Sequence, residues 1–172
     1  DEPTAPPTQK GIFGYGDSGS VVSLTNLVSS SGVVAADVTG VGTARESLAA
    51  TGYGGDKAIF GYGQTSTYLS MTNLVNSSGV VASDVSGVGT ARNVLAAASY
   101  GTDKAIFGYG TSGSYVSLKN LVNSSGVVAA DVTGVGTGRG YLAASGYGGD
   151  KAIFGYGYTG SNVSMSNLVS NS

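Results

Sequence analysis

The pentapeptide Ile-Phe-Gly-Tyr-Gly occurs four times, and its phenylalanines, Phe13, Phe60, Phe107 and Phe154, are spaced at 47 residues throughout. Other residues keep the same register. Asn26, Asn73, Asn120 and Asn167 each precede Leu-Val; Asp37, Asp84 and Asp131 each open an Asp-Val-(Thr/Ser)-Gly-Val-Gly-Thr stretch; Arg45, Arg92 and Arg139 stand eight residues beyond each Asp. A fixed period of this length, without insertions, marks stacked supersecondary units, each burying against its neighbour a face it cannot bury alone. The chain therefore divides into an extended Pro-rich arm, residues 1–10, which holds Pro3, Pro6 and Pro7, and a tandem-repeat domain, residues 11–172. The repeat units are 11–57, 58–104 and 105–151, with a half unit at 152–172.

Within one unit the pattern predicts four short strands. Lys57 to Tyr62 is an apolar run ended by Gly63; Thr67 to Val75 places Leu69, Met71 and Val75 on one face; Gly79 to Val85 is a β-branched run closed by Gly87 and Gly89; Ala91 to Tyr100 precedes Gly101. The fourth element has a helical rival, because Thr43-Ala-Arg-Glu46 before Ser-Leu-Ala-Ala has the form of a capping box. The other copies argue for strand: Asn93 replaces the capping Glu, and Gly138 and Gly140 flank Arg139, a poor context for a helix interior. The expected fold is all-β, with about 14 strands in three and a half four-stranded units.

Composition narrows the chemistry. There is no Cys, His or Trp among 172 residues, and 8 Lys and Arg stand against 10 Asp and Glu. Thiol nucleophiles, imidazole bases and His or Cys metal sites are absent, so no enzymatic activity, metal or cofactor is expected. A net charge of −2 offers no basic surface for nucleic acid. No apolar run has the length of a membrane span, and no signal segment opens the chain, which begins at Asp1 and reads as a processed product or a cut piece. Gly-Val-Gly-Thr and Gly-Tyr-Gly lack the Lys-Ser/Thr of a phosphate loop.

An apolar strand running into paired glycines, a second strand, and an Arg shortly before a last strand of small residues together resemble the kelch-type β-propeller repeat over residues 11–172. The kelch di-glycine stands here as Gly61-Tyr62-Gly63, and the kelch Trp is missing. The unit is also similar to Gly/Ser/Thr-rich repeats, kelch-like in pattern, of tailed-bacteriophage proteins. That likeness implies a virion or extracellular location and a structural or surface-interaction role.

The recurring charges Asp37, Asp84, Asp131, Arg45, Arg92 and Arg139 are expected to be structural, each Arg fork bonding a carboxylate and carbonyls to lock one unit to the next. The functional alternative is a ring of arginines binding an anion in a central channel. Tyr15, Tyr62, Tyr109 and Tyr156, with Tyr53, Tyr100 and Tyr147, are expected between units. A contact surface needs variety where a packing surface needs sameness, and the tip after each Gly-Tyr-Gly varies between copies. Asp17, Gln64, Thr111 and Tyr158, with Tyr68, Tyr115 and Asn162 just beyond, are therefore the candidate ligand-binding residues. A propeller lectin that holds glycans through these tips is the rival to a structural protein.

Assembly is expected as well. Three and a half units fall short of the four to eight complete blades of a closed propeller, and an unpaired edge is a template for another chain. The sequence reading is thus a homo-oligomer, either a ring or a filament, unless the chain is a fragment of a longer array.

Overall fold

A computed structural model describes residues 11–170, and in it every regular element is a strand. The strands are β1 (Gly11–Asp17), β2 (Val21–Val28), β3 (Ala49–Tyr53), β4 (Lys57–Gly61), β5 (Thr72–Val75), β6 (Ala96–Tyr100), β7 (Lys104–Gly108), β8 (Lys119–Val122), β9 (Ala143–Tyr147), β10 (Lys151–Gly155) and β11 (Ser166–Val169). They pair antiparallel in four small sheets: β1-β2, β3-β4-β5, β6-β7-β8 and β9-β10-β11. Each three-stranded sheet takes its first strand from the end of one sequence unit and the next two from the beginning of the following unit. The junctions at 57 and 104 therefore fall inside hairpins, at Tyr53↔Lys57 and Tyr100↔Lys104.

The strands follow from local chemistry. Ile59 and Phe60 are both buried, which suits the middle strand of a sheet covered on both faces. The Leu-Ala-Ala segment becomes strand rather than helix because the residue before each Leu, namely Ser47, Val94 and Tyr141, sits at positive φ of 53°, 46° and 54°. That conformation is incompatible with a right-handed helix and is unusual for a β-branched residue. A hydrogen-bond column holds it in place: the Val94 amide donates to Ser47 O at 2.9 Å, and the Tyr141 amide donates to Val94 O at 2.9 Å. The same column brings β3 beside β6 and β6 beside β9.

Three expected strands are corrected. Ala91 to Tyr100 is strand only over Ala96–Tyr100, because the chain turns at Val94 with its positive φ. Thr67 to Val75 is strand only over Thr72–Val75, because the Leu69 amide turns back to Gly63 O at 2.8 Å. Gly79 to Val85 is an irregular edge joined to β5 by the isolated bridges Val75↔Val81 and Thr72↔Val85. Here the Asn76 carboxamide accepts the Ser78 and Val80 amides, a turn that competes with regular pairing. The described residues thus hold eleven strands, not about 14. The Pro-rich arm lies outside the described residues.

The core is a series of aromatic interlocks between successive sheets. Tyr15 meets Phe60, Tyr62 meets Phe107 and Tyr109 meets Phe154, with ring centroids 5.1, 5.2 and 5.4 Å apart. Each Phe ring seats on a glycine of the preceding sheet. A Cβ on Gly61 would stand 2.7 Å from Phe107, and one on Gly108 would stand 3.0 Å from Phe154. Phe107→Ala is therefore expected to destabilise the fold by about 3–5 kcal/mol. Phe13→Ala, at a position 63% exposed, is expected to stay within about 0.5 kcal/mol of the parent. Urea unfolding of the two variants measures the contrast.

Candidate functional site

Arg45, Arg92 and Arg139 are fully buried, and their settings repeat. Arg92 lies over the Tyr62 ring, 4.2 Å from its centroid. Its Nε donates to Tyr109 O at 2.8 Å, Nη1 to Thr90 O at 3.1 Å and Nη2 to Asn120 Oδ1 at 2.6 Å. Arg45 does the same with Tyr15, Tyr62 O, Thr43 O and Asn73. Arg139 lies 4.0 Å over Tyr109 and donates to Tyr156 O, Thr137 O and, at 3.4 Å, Phe154 O. Guanidiniums enclosed in this way are not open to solvent, so the channel-anion reading is corrected.

The expected Arg–carboxylate pairing is an ion pair at Arg92–Asp131 without a direct hydrogen bond, because an asparagine stands between the two as the hydrogen-bonding link. Asn73 Nδ2 donates to Asp84 Oδ1 at 2.9 Å while its Oδ1 accepts from Arg45; Asn120 links Arg92 to Asp131 in the same way. The carboxylates reach back to the preceding unit. Asp84 accepts the Thr43 hydroxyl at 2.7 Å and its amide at 3.0 Å, and Asp131 accepts the Thr90 hydroxyl at 2.7 Å and its amide at 2.9 Å. The closest Arg–Asp approach is 3.9 Å, between Arg92 and Asp131. Asp37 is exposed and, among the described residues, accepts from Asn26 Nδ2 at 2.7 Å.

Electrostatics agree with this geometry. Burial pushes Asp84 and Asp131 up, but the hydrogen bonds from Thr43 and Asn73, and from Thr90 and Asn120, outweigh it and hold both below the ordinary carboxylate value. Burial pushes the Tyr62 phenol up to about 12 against the pull of Arg92, and its hydroxyl donates to Val88 O at 3.2 Å. Burial lowers Arg45 and Arg92.

The variable tips gather into one column, in which Tyr68, Tyr158 and Asn162 are exposed and Gln64, Thr111 and Tyr115 are half-buried. Gln64 bridges Glu46 and Tyr68; Thr111 bridges Asn93 and Tyr115; Tyr158 bridges Gly140 and Asn162. Side chains connect one tip to the next: Gln64 Nε2 donates to Glu46 Oε1 at 2.8 Å, and Asn93 Nδ2 donates to Gln64 Oε1 at 2.6 Å. Asn93 Oδ1 is buried with no partner among the described residues. Tyr115 and Tyr158 meet edge to face at 5.9 Å. Desolvation and then the neighbouring Tyr141 and Tyr158 phenols raise Tyr115. Tyr115 lies against Gly140, where a Cβ would come within 3.1 Å of its ring. Asp17 ends β1, and its carboxylate accepts the Gly19 amide at 2.7 Å in a turn of its own.

Three members of this column, Glu46, Asn93 and Tyr141, are absent from the sequence-derived set. Their signal is the same copy-to-copy variation that marks the tips: Glu46, Asn93 and Gly140 at one position and Ser47, Val94 and Tyr141 at the next. Among the described residues no group of His, Cys, Asp and Glu could hold a metal ion, and no helix is long and apolar enough to cross a membrane. Compared with models of known protein families the chain matches none, and no curated protein matches it.

The carboxylate clamps generate a pH dependence. A folded pKa held below the unfolded value adds stability that is full above the unfolded pKa and fades as pH falls through the folded one. The thermal midpoint is expected to drop between about pH 5 and about pH 2. In the double variant Asp84→Asn, Asp131→Asn the midpoint starts lower at neutral pH and changes less over that interval. A pH series of calorimetric scans checks both.

Proposed function

We propose that this chain is a non-enzymatic structural or surface-interaction repeat protein, built from kelch-like β-propeller blades, of a virion or another exported assembly. One observation carries the reading. Residues that are the same in every copy are spent on locking units together, whereas residues that differ between copies meet in one column at the tips, where Tyr68, Tyr141, Tyr158 and Asn162 are exposed. A rigid scaffold with a varied edge is what a recognition surface requires. In support of the blade assignment, antiparallel sheets repeat at the sequence period with their first strands side by side and an irregular fourth segment on the outer edge. The virion location rests on the phage-repeat resemblance.

A second reading, a lectin, is favoured by the aromatic part of the column. Tyr115, Tyr141 and Tyr158 lie together, with Tyr141 and Tyr158 exposed and the exposed Asn162 joined to Tyr158 by a backbone bridge. Phenol faces and carboxamides beside few charges suit a neutral sugar ring.

A glycan array probed with the whole chain separates the two. A lectin gives discrete hits that Tyr115→Ser and Tyr158→Ser abolish while the thermal midpoint changes little. A scaffold for a protein partner gives no hits with the same well-folded chain. Loss of all cooperative unfolding in the parent removes both readings.

A further inference from the structure

The second repeat unit differs from its neighbours along one seam. Its lead-in to β5 reads Tyr68-Leu69-Ser70-Met71, where the first unit has Val21-Val22-Ser23-Leu24 and the third has Tyr115-Val116-Ser117-Leu118. The segment facing it, Asp84-Val85-Ser86-Gly87, carries the smaller Ser86 where the other two units have Thr39 and Thr133. Between the two segments lies a cavity of about 330 Å³, bordered by Tyr68, Ser70, Met71, Asp84, Ser86 and Ala91. That volume is at the lower end of the range for small-ligand sites. The walls touch where a Cβ on Gly87 would collide with Ser70. The Ala91 methyl holds them apart. In the third unit Gly138 takes its place, and the chain closes over the gap, so that a Cβ there would stand 2.5 Å from Tyr115 O.

The lining has a definite chemistry. Tyr68 is exposed, and Met71 is half-buried. Ser70 and Ser86 make no hydrogen bond, through hydroxyl or backbone, with another described residue. No bordering side chain is cationic, and the one charge is Asp84. Both oxygens of Asp84 already accept, from the Thr43 hydroxyl and from Asn73 Nδ2, so it contributes negative potential rather than a free acceptor. A phenol face and unspent hydroxyl and peptide groups suit a compact ring that carries several hydroxyls. The fixed negative charge selects against an acidic version of the same ring.

We propose that this cavity seats a single neutral pyranose ring, stacked on Tyr68 and hydrogen-bonded to Ser70 and Ser86. The site rests on the lectin reading for its class of ligand but not on the residues of that reading, since Tyr115, Tyr141 and Tyr158 belong to the third and fourth units. One small ring in one seat binds at about the millimolar level. Free glycosides in solution therefore reveal it better than a printed array does.

Saturation-transfer NMR of the whole chain tests this, with the methyl glycosides of glucose, galactose, mannose and N-acetylglucosamine, and with methyl glucuronide, each titrated to about 50 mM. The expected result is saturable binding of at least one neutral glycoside and none of the glucuronide. Tyr68→Val installs the residue of the first unit and removes the ring face, and is expected to weaken binding about tenfold. Ser86→Thr restores the residue of the first and third units and puts one more methyl into the cavity, for a loss of about fivefold or more. Tyr115→Ser should leave the affinity unchanged. Failure of every neutral glycoside to saturate overturns the proposal. So does equal binding of the glucuronide, or binding that is the same in Tyr68→Val, Ser86→Thr and the parent. Binding lost in Tyr115→Ser but kept in Tyr68→Val also overturns it, and places the sugar in the aromatic column, so that the lectin reading stands without this cavity. Array hits that depend on Tyr115 and Tyr158, with no saturation by free glycosides, have the same meaning. Should Tyr68→Val lose its fold, Ser86→Thr decides, because two of the units already hold Thr at that position.

Discussion

The structure depends on an arginine that belongs to two sheets at once. Arg92 rests its guanidinium plane on Tyr62 of the sheet before it and sends its donors to Tyr109 O and Asn120 Oδ1 of the sheet that follows, and to Thr90 O beside it. A buried charge is tolerable only when its hydrogen bonds are made, and a planar fork with several fixed donors makes them where a lysine could not. Because the guanidinium is held from both sides, the spacing and the rotation of neighbouring sheets are set together. The recurring Arg–Asn–Asp–Thr chain carries the same lock from the interior out to the edge.

Backbone strain is placed where that lock can hold it. Tyr15, Tyr62, Tyr109 and Tyr156 all have φ between 62° and 64°, a region that costs a large residue free energy and persists only when surroundings over-determine it. At Tyr62 the carbonyl accepts from Arg45, the ring lies under Arg92, the ring edge meets Phe107 and the hydroxyl donates to Val88 O. The turn that follows sends Gln64, Thr111 and Tyr158 to one side. The variable column is thus aimed by invariant residues, which is why its side chains can differ without disturbing the stack.

This arrangement also explains the composition. A chain with few charges would be expected to have them at the surface, yet three arginines are buried and two aspartates are held by backbone and hydroxyl donors. The exposed residues are mostly small and polar, with aromatic side chains concentrated at the tips and at the ends of the stack.

The sequence by itself determined the all-β class, the 47-residue register and the recurring Arg and Tyr, because period and β-branched or small-residue runs bounded by glycine are local properties of the chain. It also determined that variation between copies marks the tips. Only the tertiary structure decided that Asn73 and Asn120, rather than the aspartates, accept the arginines' hydrogen bonds, since that depends on side chains brought together from positions 28 residues apart. Tertiary structure likewise made strands of Leu-Ala-Ala segments by imposing positive φ on Ser47, Val94 and Tyr141 through a column of bonds between units. It reduced Gly79–Val85 to two bridges and added Glu46, the buried Asn93 and the exposed Tyr141 to the column of tips. In each case the deciding contact joins one repeat to the next, and a pattern read within a single unit carries no record of its neighbour's geometry.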